Sequence, residues 1–244
     1  MLLSVRFRGV VALAARYPLL AGADLDVAVG EVVVVRGANG AGKTSLLRAM
    51  AGLLPLVAGE ASVLGLDPTV DARRLRPLVG LLGHRNGLYE DLSAEQNVMF
   101  AARAERRPKA DVQSALARLG FDRRVAATPA AKLSAGQRRR LALATVLVRQ
   151  PRLWLLDEPH AGLDAHHRQL LDELLDEVAA SGATVVLASH EQLADGLEAK
   201  RTVWMSGGAV VERAAAPAVA DVVGVAAEVA PAPSAPCPQV PHVA

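Results

Sequence analysis

Glu31-Val32-Val33-Val34-Val35-Arg36-Gly37-Ala38-Asn39-Gly40-Ala41-Gly42-Lys43-Thr44 is the stretch on which the reading of this chain turns. Its first five residues form a β-branched run that stops at a glycine-rich turn, the pattern of a buried strand in a parallel sheet. Residues 37–44 then satisfy G-x-x-x-x-G-K-[ST], and a helix is expected over 43–53. Strand, glycine turn and helix in that order suit phosphate binding. The glycines let backbone N–H groups close around phosphate oxygens, and the helix N-terminus favours negative charge. Lys43 is placed to reach the β- and γ-phosphates of a nucleotide, and Thr44 to offer a hydroxyl to the Mg²⁺ that bridges them. The nucleotide-binding candidates are Gly37, Ala38, Asn39, Gly40, Ala41, Gly42, Lys43, Thr44 and Ser45.

Outward from this loop, further strands are expected at 62–64, 79–82, 153–157 and 184–188, with helical or turn-rich segments between them. Such alternation implies an α/β fold with a mostly parallel sheet. About seventy residues separate the strands at Val79 and Leu153, and helical periodicity recurs there over 93–100, 111–119 and 135–149. They are read as a helical subdomain, about 84–150, inserted into the sheet domain. Ser206-Gly207-Gly208 lies between two strand-like runs, 201–204 and 209–212, a hairpin signal of strand, glycine turn and strand. After Arg213 the composition turns to Ala, Pro and Val, and six of the 14 prolines fall there, so 214–244 is read as a flexible tail beside a main domain of 1–213.

With 244 residues, 52% of them hydrophobic, and a mean hydropathy of +0.26, the chain can bury a large core. No run reaches the roughly 18 apolar residues of a membrane span, so direct lipid insertion is not expected. Arg6 and Arg8 stand where a signal peptide would need its apolar centre. The net charge of +2 does not point to nucleic acid as a partner. Cys237 is the single cysteine, which excludes an internal disulfide framework and a thiolate metal cluster. The six histidines have no recognised ligand spacing.

Leu153-Trp154-Leu155-Leu156-Asp157-Glu158-Pro159 is an apolar strand ending in two acids. Open α/β sheets bind ligands at the carboxyl ends of their strands, so Asp157 is assigned to the Mg²⁺ shell and Glu158 to the general base that polarises the attacking water. His190 follows the strand at 184–188 and is assigned a catalytic hydrogen bond to the γ-phosphate.

Taken together, these residues resemble the ATP-binding cassette ATPases, the nucleotide-binding subunits of ABC transporters. Leu133-Ser134-Ala135-Gly136-Gln137 is similar to that family's signature loop, Ala161-Gly162-Leu163-Asp164 to its D-loop, and His190 stands at its switch-histidine position. The resemblance covers roughly residues 3–213 and implies a P-loop NTPase cassette with antiparallel strands at its N-terminus. It implies ATP and Mg²⁺ as cofactors. Ser134 heads an expected helix, so its hydroxyl and the N–H groups of Ala135 and Gly136, with Gln137, form an anion site. In the family this site faces the γ-phosphate held by the opposite subunit, which implies a homodimer here. It also implies an integral membrane permease as partner, with the cassette at the cytoplasmic face of the inner membrane.

The chain departs from the family pattern at several points. Ala135 replaces a glycine, which a helical backbone would tolerate. His84 stands where the family carries a glutamine, and its imidazole is a candidate to coordinate Mg²⁺ or bond a nearby water. Tyr17 is the nearest aromatic to an adenine-stacking position, and Thr145 replaces a common arginine without any functional account. Residues 83–88, Gly-His-Arg-Asn-Gly-Leu, with the Leu-Ser-Ala-Gly-Gln signature, resemble the ATPase subunit of the haem exporters of cytochrome c maturation. Exporters of drugs, polysaccharides or lipids are the alternative. Non-transport cassettes carry two cassettes or a long coiled coil, and a P-loop kinase would lack the signature loop.

Overall fold

The computed structural model describes residues 2–189 and 201–211. His190, the segment 191–200 and the tail at 214–244 lie outside the described residues, as does the end of the hairpin expected at Glu212. The chain begins with two long strands, β1 (Leu3–Ala14) and β2 (Tyr17–Ala28), paired antiparallel about the turn at Ala15 and Arg16. Next come β3 (Val32–Arg36), the phosphate-loop segment and helix α1 (Lys43–Met50). Strand β4 (Ala58–Val63) then returns to pair antiparallel with β1, giving a three-stranded sheet in the order β2-β1-β4. The strand expected at 62–64 is therefore longer and belongs to this sheet rather than to the parallel one. Its pairing is set by β1, about fifty residues away, a partner that its own short pattern does not specify.

After a short helix α2 (Ala72–Leu75) comes β5 (Val79–Leu82), and then the helices α3 (Ala94–Ala104), α4 (Lys109–Arg118), α5 (Arg123–Ala126) and α6 (Ala135–Arg149). Strand β6 (Leu153–Asp157), helix α7 (Ala165–Ala180) and strand β7 (Thr184–Ala188) follow, and the hairpin β8 (Arg201–Ser206) and β9 (Ala209–Val211) ends the described chain. The second sheet has six strands in the order β5-β6-β7-β3-β8-β9, all parallel except β9. The fold is α/β and its main sheet is mostly parallel, as the alternation of elements implied.

Strand periodicity explains the layers. Successive side chains of a strand point to opposite faces. Val33 and Val35 of β3 enter a core shared with Phe7 of β1 and with Leu46 and Leu47 of α1, whereas Val32 and Val34 enter a second core. That second core contains Val98, Leu116, Leu141 and Leu175 from α3, α4, α6 and α7. Leu153 and Leu155 of β6 go to the first core, and Trp154 and Leu156 to the second. Helices therefore cover one face of the parallel sheet, and α1 with the antiparallel sheet covers the other.

Helix α1 ends at Met50 rather than Leu53, because the Ala51 N–H closes its last turn on Leu47 and the chain turns at Gly52 toward β4. Helix α6 spans the expected residues, and α3 starts one residue after the expected 93 and runs on to Ala104 rather than ending at 100. Ser93 and Ser134 each head a capping box, accepting from the backbone N–H of Gln96 or Gln137 while that residue's side chain accepts from the serine's own N–H. Arg140 ties α6 to the end of α4 by donating to the carbonyls of Leu119 and Gly120, and its guanidinium lies 5.2 Å from the centre of the Phe121 ring.

Candidate active site

The carboxyl ends of β3 and β6, two strands from each other in the sheet, bring the phosphate loop and the acidic pair to one edge. A cavity of about 520 Å³ opens there. Its walls include residues 39–45, His84, Asp157 and Glu158, with Pro18 and Leu19 of β2 and the Gly207–Gly208 turn of the last hairpin. Gly42 caps α1 with φ +105°, and a Cβ there would meet the Leu19 carbonyl at 2.9 Å. Glycine is needed both for the left-handed backbone and for the close approach of β2.

Lys43 is buried, and its Nζ donates to the carbonyls of Gly37 at 2.8 Å and Ala38 at 3.2 Å. The ammonium thus folds back onto carbonyls of its own loop. Thr44 Oγ1 donates to Asp157 Oδ2 at 2.8 Å, although the two residues are 113 apart in sequence. Mg²⁺ binds through hard oxygens, usually one or two carboxylates or hydroxyls completed by phosphates and water. A hydroxyl bonded directly to a carboxylate in a phosphate-loop cavity fits that ion. His84 is exposed on the cavity wall, and its nitrogen is a poorer match for Mg²⁺ than for a water beside it.

Glu158 lies one residue past β6 with φ +49°, its N–H bonded to the Ala188 carbonyl of β7 at 2.9 Å. That left-handed corner, uncommon for a glutamate, turns the chain at the cavity edge. Beyond it, His160 is buried with its Nε2 2.6 Å from Asp172 Oδ1 of α7. Asp164 caps α7 through the N–H of His167, and that hydrogen bond holds its carboxyl below the usual carboxylate range. The capping contribution is in place above the ordinary carboxyl pKa and fades as the pH falls through the lowered value.

The structure gathers the phosphate loop, His84, Asp157 and Glu158 around one cavity, but Ser134, Ala135, Gly136 and Gln137 do not line it. The N–H groups of Ala135 and Gly136, in the first turn of α6, have no partner within the helix by geometry. Ala135 lies in the helix and is absent from the residues with positive φ, so alanine suits this position. Gly136 cannot change in the same way: a Cβ there would stand 2.7 Å from the Gly162 carbonyl, on backbone that has no flexible end to yield. Gly136→Ala should therefore displace residues 161–164 and cut ATP turnover by at least about tenfold, with ATP binding to the phosphate loop retained. Steady-state hydrolysis beside equilibrium nucleotide binding checks this, and wild-type turnover would show that the contact is dispensable.

Tyr17 is exposed at the start of β2 and does not line the cavity, although the next two residues do. Two features escaped the sequence reading. Asn97 is buried in α3, where its side chain bonds Tyr89, Leu92 and Ser93 and so shapes the chain beyond His84. Arg139, in a run of three arginines, is buried. Its signal was its spacing, since it shares a helix face with Ala142, Leu143 and Val146 of the second core.

The sequence profile of the ABC transporter family matches residues 20–161. The chain belongs to that family. Over 170 residues it is 47% identical to the "Cytochrome c biogenesis ATP-binding export protein CcmA" of Bordetella bronchiseptica, an alignment covering 68% of this chain and 75% of the relative. It is 44% identical over 179 residues to the "Cytochrome c biogenesis ATP-binding export protein CcmA 2" of Cupriavidus metallidurans, covering 70% and 82%. The fold also matches a dimeric ATP-binding cassette in a post-hydrolysis state bound to ADP and Pi, with a TM-score of 0.76 and 23% identity over 85% of this chain and 97% of that one. This cassette is accordingly a nucleotide-binding ATP hydrolase, the ATPase subunit of an ABC transporter. Among the described residues no helix is long and apolar enough to cross a membrane.

Proposed function

We propose that this cassette hydrolyses ATP to drive a separate membrane permease in cytochrome c biogenesis, exporting haem for the maturation of c-type cytochromes. The observation that carries the reading is the 47% identity to an export protein of that pathway over 170 residues, 68% of this chain. Residues 83–88, with histidine at the loop position, support the same subfamily.

In this reading residues 37–45 wrap the phosphates of ATP and Lys43 swings from its loop carbonyls to the β- and γ-phosphates. Thr44 and Asp157 would hold Mg²⁺, which when bound offsets the negative charge of the phosphates. Glu158 takes the proton of the attacking water, and His84 orients water at the cavity wall. Because Ser134, Ala135, Gly136 and Gln137 do not line the chain's own cavity, their anion site is assigned to the ATP of a second copy, and a homodimer closes over two nucleotides. The catalytic role of His190 belongs to the same proposal and falls outside the described residues.

The permease contact is assigned to the helical segment beyond His84. Tyr89 and Phe100 stack edge to face with ring centres 4.9 Å apart, and both are about half exposed. Aromatics of this kind suit the centre of a protein interface. Docked there, the cassette sits peripherally on the cytoplasmic face of the inner membrane, and closure around ATP reaches the permease as a rigid-body shift. Deleting the gene should abolish mature c-type cytochromes while b-type haem proteins persist. Normal c-type cytochromes in the deletion strain would overturn the cargo assignment and leave the ATPase unaffected.

A further inference from the structure

Arg139 reaches from the signature helix α6 into the joint between the carboxyl ends of β5 and β6. Its Nη1 donates to the Gly83 carbonyl at 2.8 Å and to Asn86 Oδ1 at 3.1 Å, on either side of His84 in sequence. Its Nη2 donates to the Asp157 carbonyl and, at 2.9 Å, to the Glu158 carbonyl. One planar fork therefore holds four oxygens from two segments, and the side chain is 6% exposed. All four acceptors are uncharged. A cation is costly to bury and is usually buried against a carboxylate. Here burial pushes the Arg139 guanidinium down from its usual pKa, while the Asp157 and Glu158 carboxylates act in the opposite sense. A side chain needed only to fill this space would be cheaper as an apolar one.

The Glu158 carbonyl that Arg139 binds belongs to the residue with φ +49°, so the fork grips the least relaxed corner of the site. The other end of the same helix turn carries the signature loop. We propose that Arg139 is a positioning residue for ATP hydrolysis, fixing the backbone of Glu158 and of the His84 loop to the signature helix. Movement of α6 when the signature loop meets a γ-phosphate would then reset the general base and the His84 loop together. The inference rests on the reading of Glu158 as the base. It adds a rigid link between three motifs that are otherwise separate in sequence.

The test uses the full-length protein and the variant Arg139→Lys, whose single ammonium keeps the charge but cannot span two carbonyl pairs at once. Turnover is measured per nucleotide-binding site, with ATP affinity measured in parallel. A misplaced base should lower kcat by about 10- to 100-fold, with KM for ATP little changed. A purely structural arginine would reduce the number of binding sites and the melting temperature, while each remaining site turned over at the wild-type rate. That outcome overturns the proposal. If Arg139→Lys does not fold, Asn86→Ala decides, since it removes one acceptor of the fork and leaves the cation in place. A few-fold lower kcat at unchanged KM supports the link, and wild-type kcat overturns it. Wild-type protein assayed alongside separates the two readings: hydrolysis absent there would refute the ATPase assignment itself, whereas an active wild type with an equally active Arg139→Lys refutes only the role of Arg139.

Discussion

Lys43→Ala should weaken ATP binding by roughly 100-fold, about 3 kcal/mol, the cost of removing one partner from a desolvated charge pair. The Lys43 side chain is buried beside the phosphate loop, and it is the only formal cation among residues 37–45. The bound phosphates would lose their charge-assisted hydrogen bonds to the ammonium. Titration with a fluorescent ATP analogue measures the effect, and wild-type affinity would count against the loop as the nucleotide site. Lys43→Arg should not restore binding, because a planar fork cannot enter the narrow turn that a single ammonium fills.

Glu158→Gln should slow hydrolysis by roughly 100- to 1,000-fold while leaving ATP affinity near wild type. The amide keeps the size of the carboxylate but cannot accept the proton of the attacking water. The corner itself survives, since it is held by main-chain bonds to Ala188 and Arg139 that the substitution leaves untouched. ATP should then accumulate unhydrolysed between two copies, and size-exclusion chromatography with ATP should show a dimer. Monomer alone under saturating ATP would refute the two-copy sandwich. Rapid hydrolysis by the variant would show that another group serves as base.

Much of the site was legible because its signals are local. The phosphate loop is a contiguous pattern between a strand and a helix, and the acids at the end of β6 needed only the rule that ligands sit at the carboxyl ends of parallel strands. Ser134 at the head of its helix is an equally local signal, and the helix at Ala135–Arg149 begins and ends where expected. The illegible parts are contacts between segments far apart in sequence. Pro18, Leu19 and the Gly207–Gly208 turn enter the cavity wall only because β2 and the last hairpin fold over the loop. The partner of β4 was missed for the same reason. Arg139 was hidden by composition, because a triple-arginine run is usually solvated, and only helical spacing distinguishes its middle member.

Strand β3 sends alternate valines into two cores and ends at the phosphate loop. A wall shared by two rooms leaves no fault line between them. If the helical side let go, Val32 and Val34 would be stripped bare; if the other side did, Val33 and Val35 would be. Either way the strand that carries the loop would lose its seat. The two halves should therefore denature as one cooperative unit, and a substitution deep in either core is expected to disturb the phosphate loop through the same five residues.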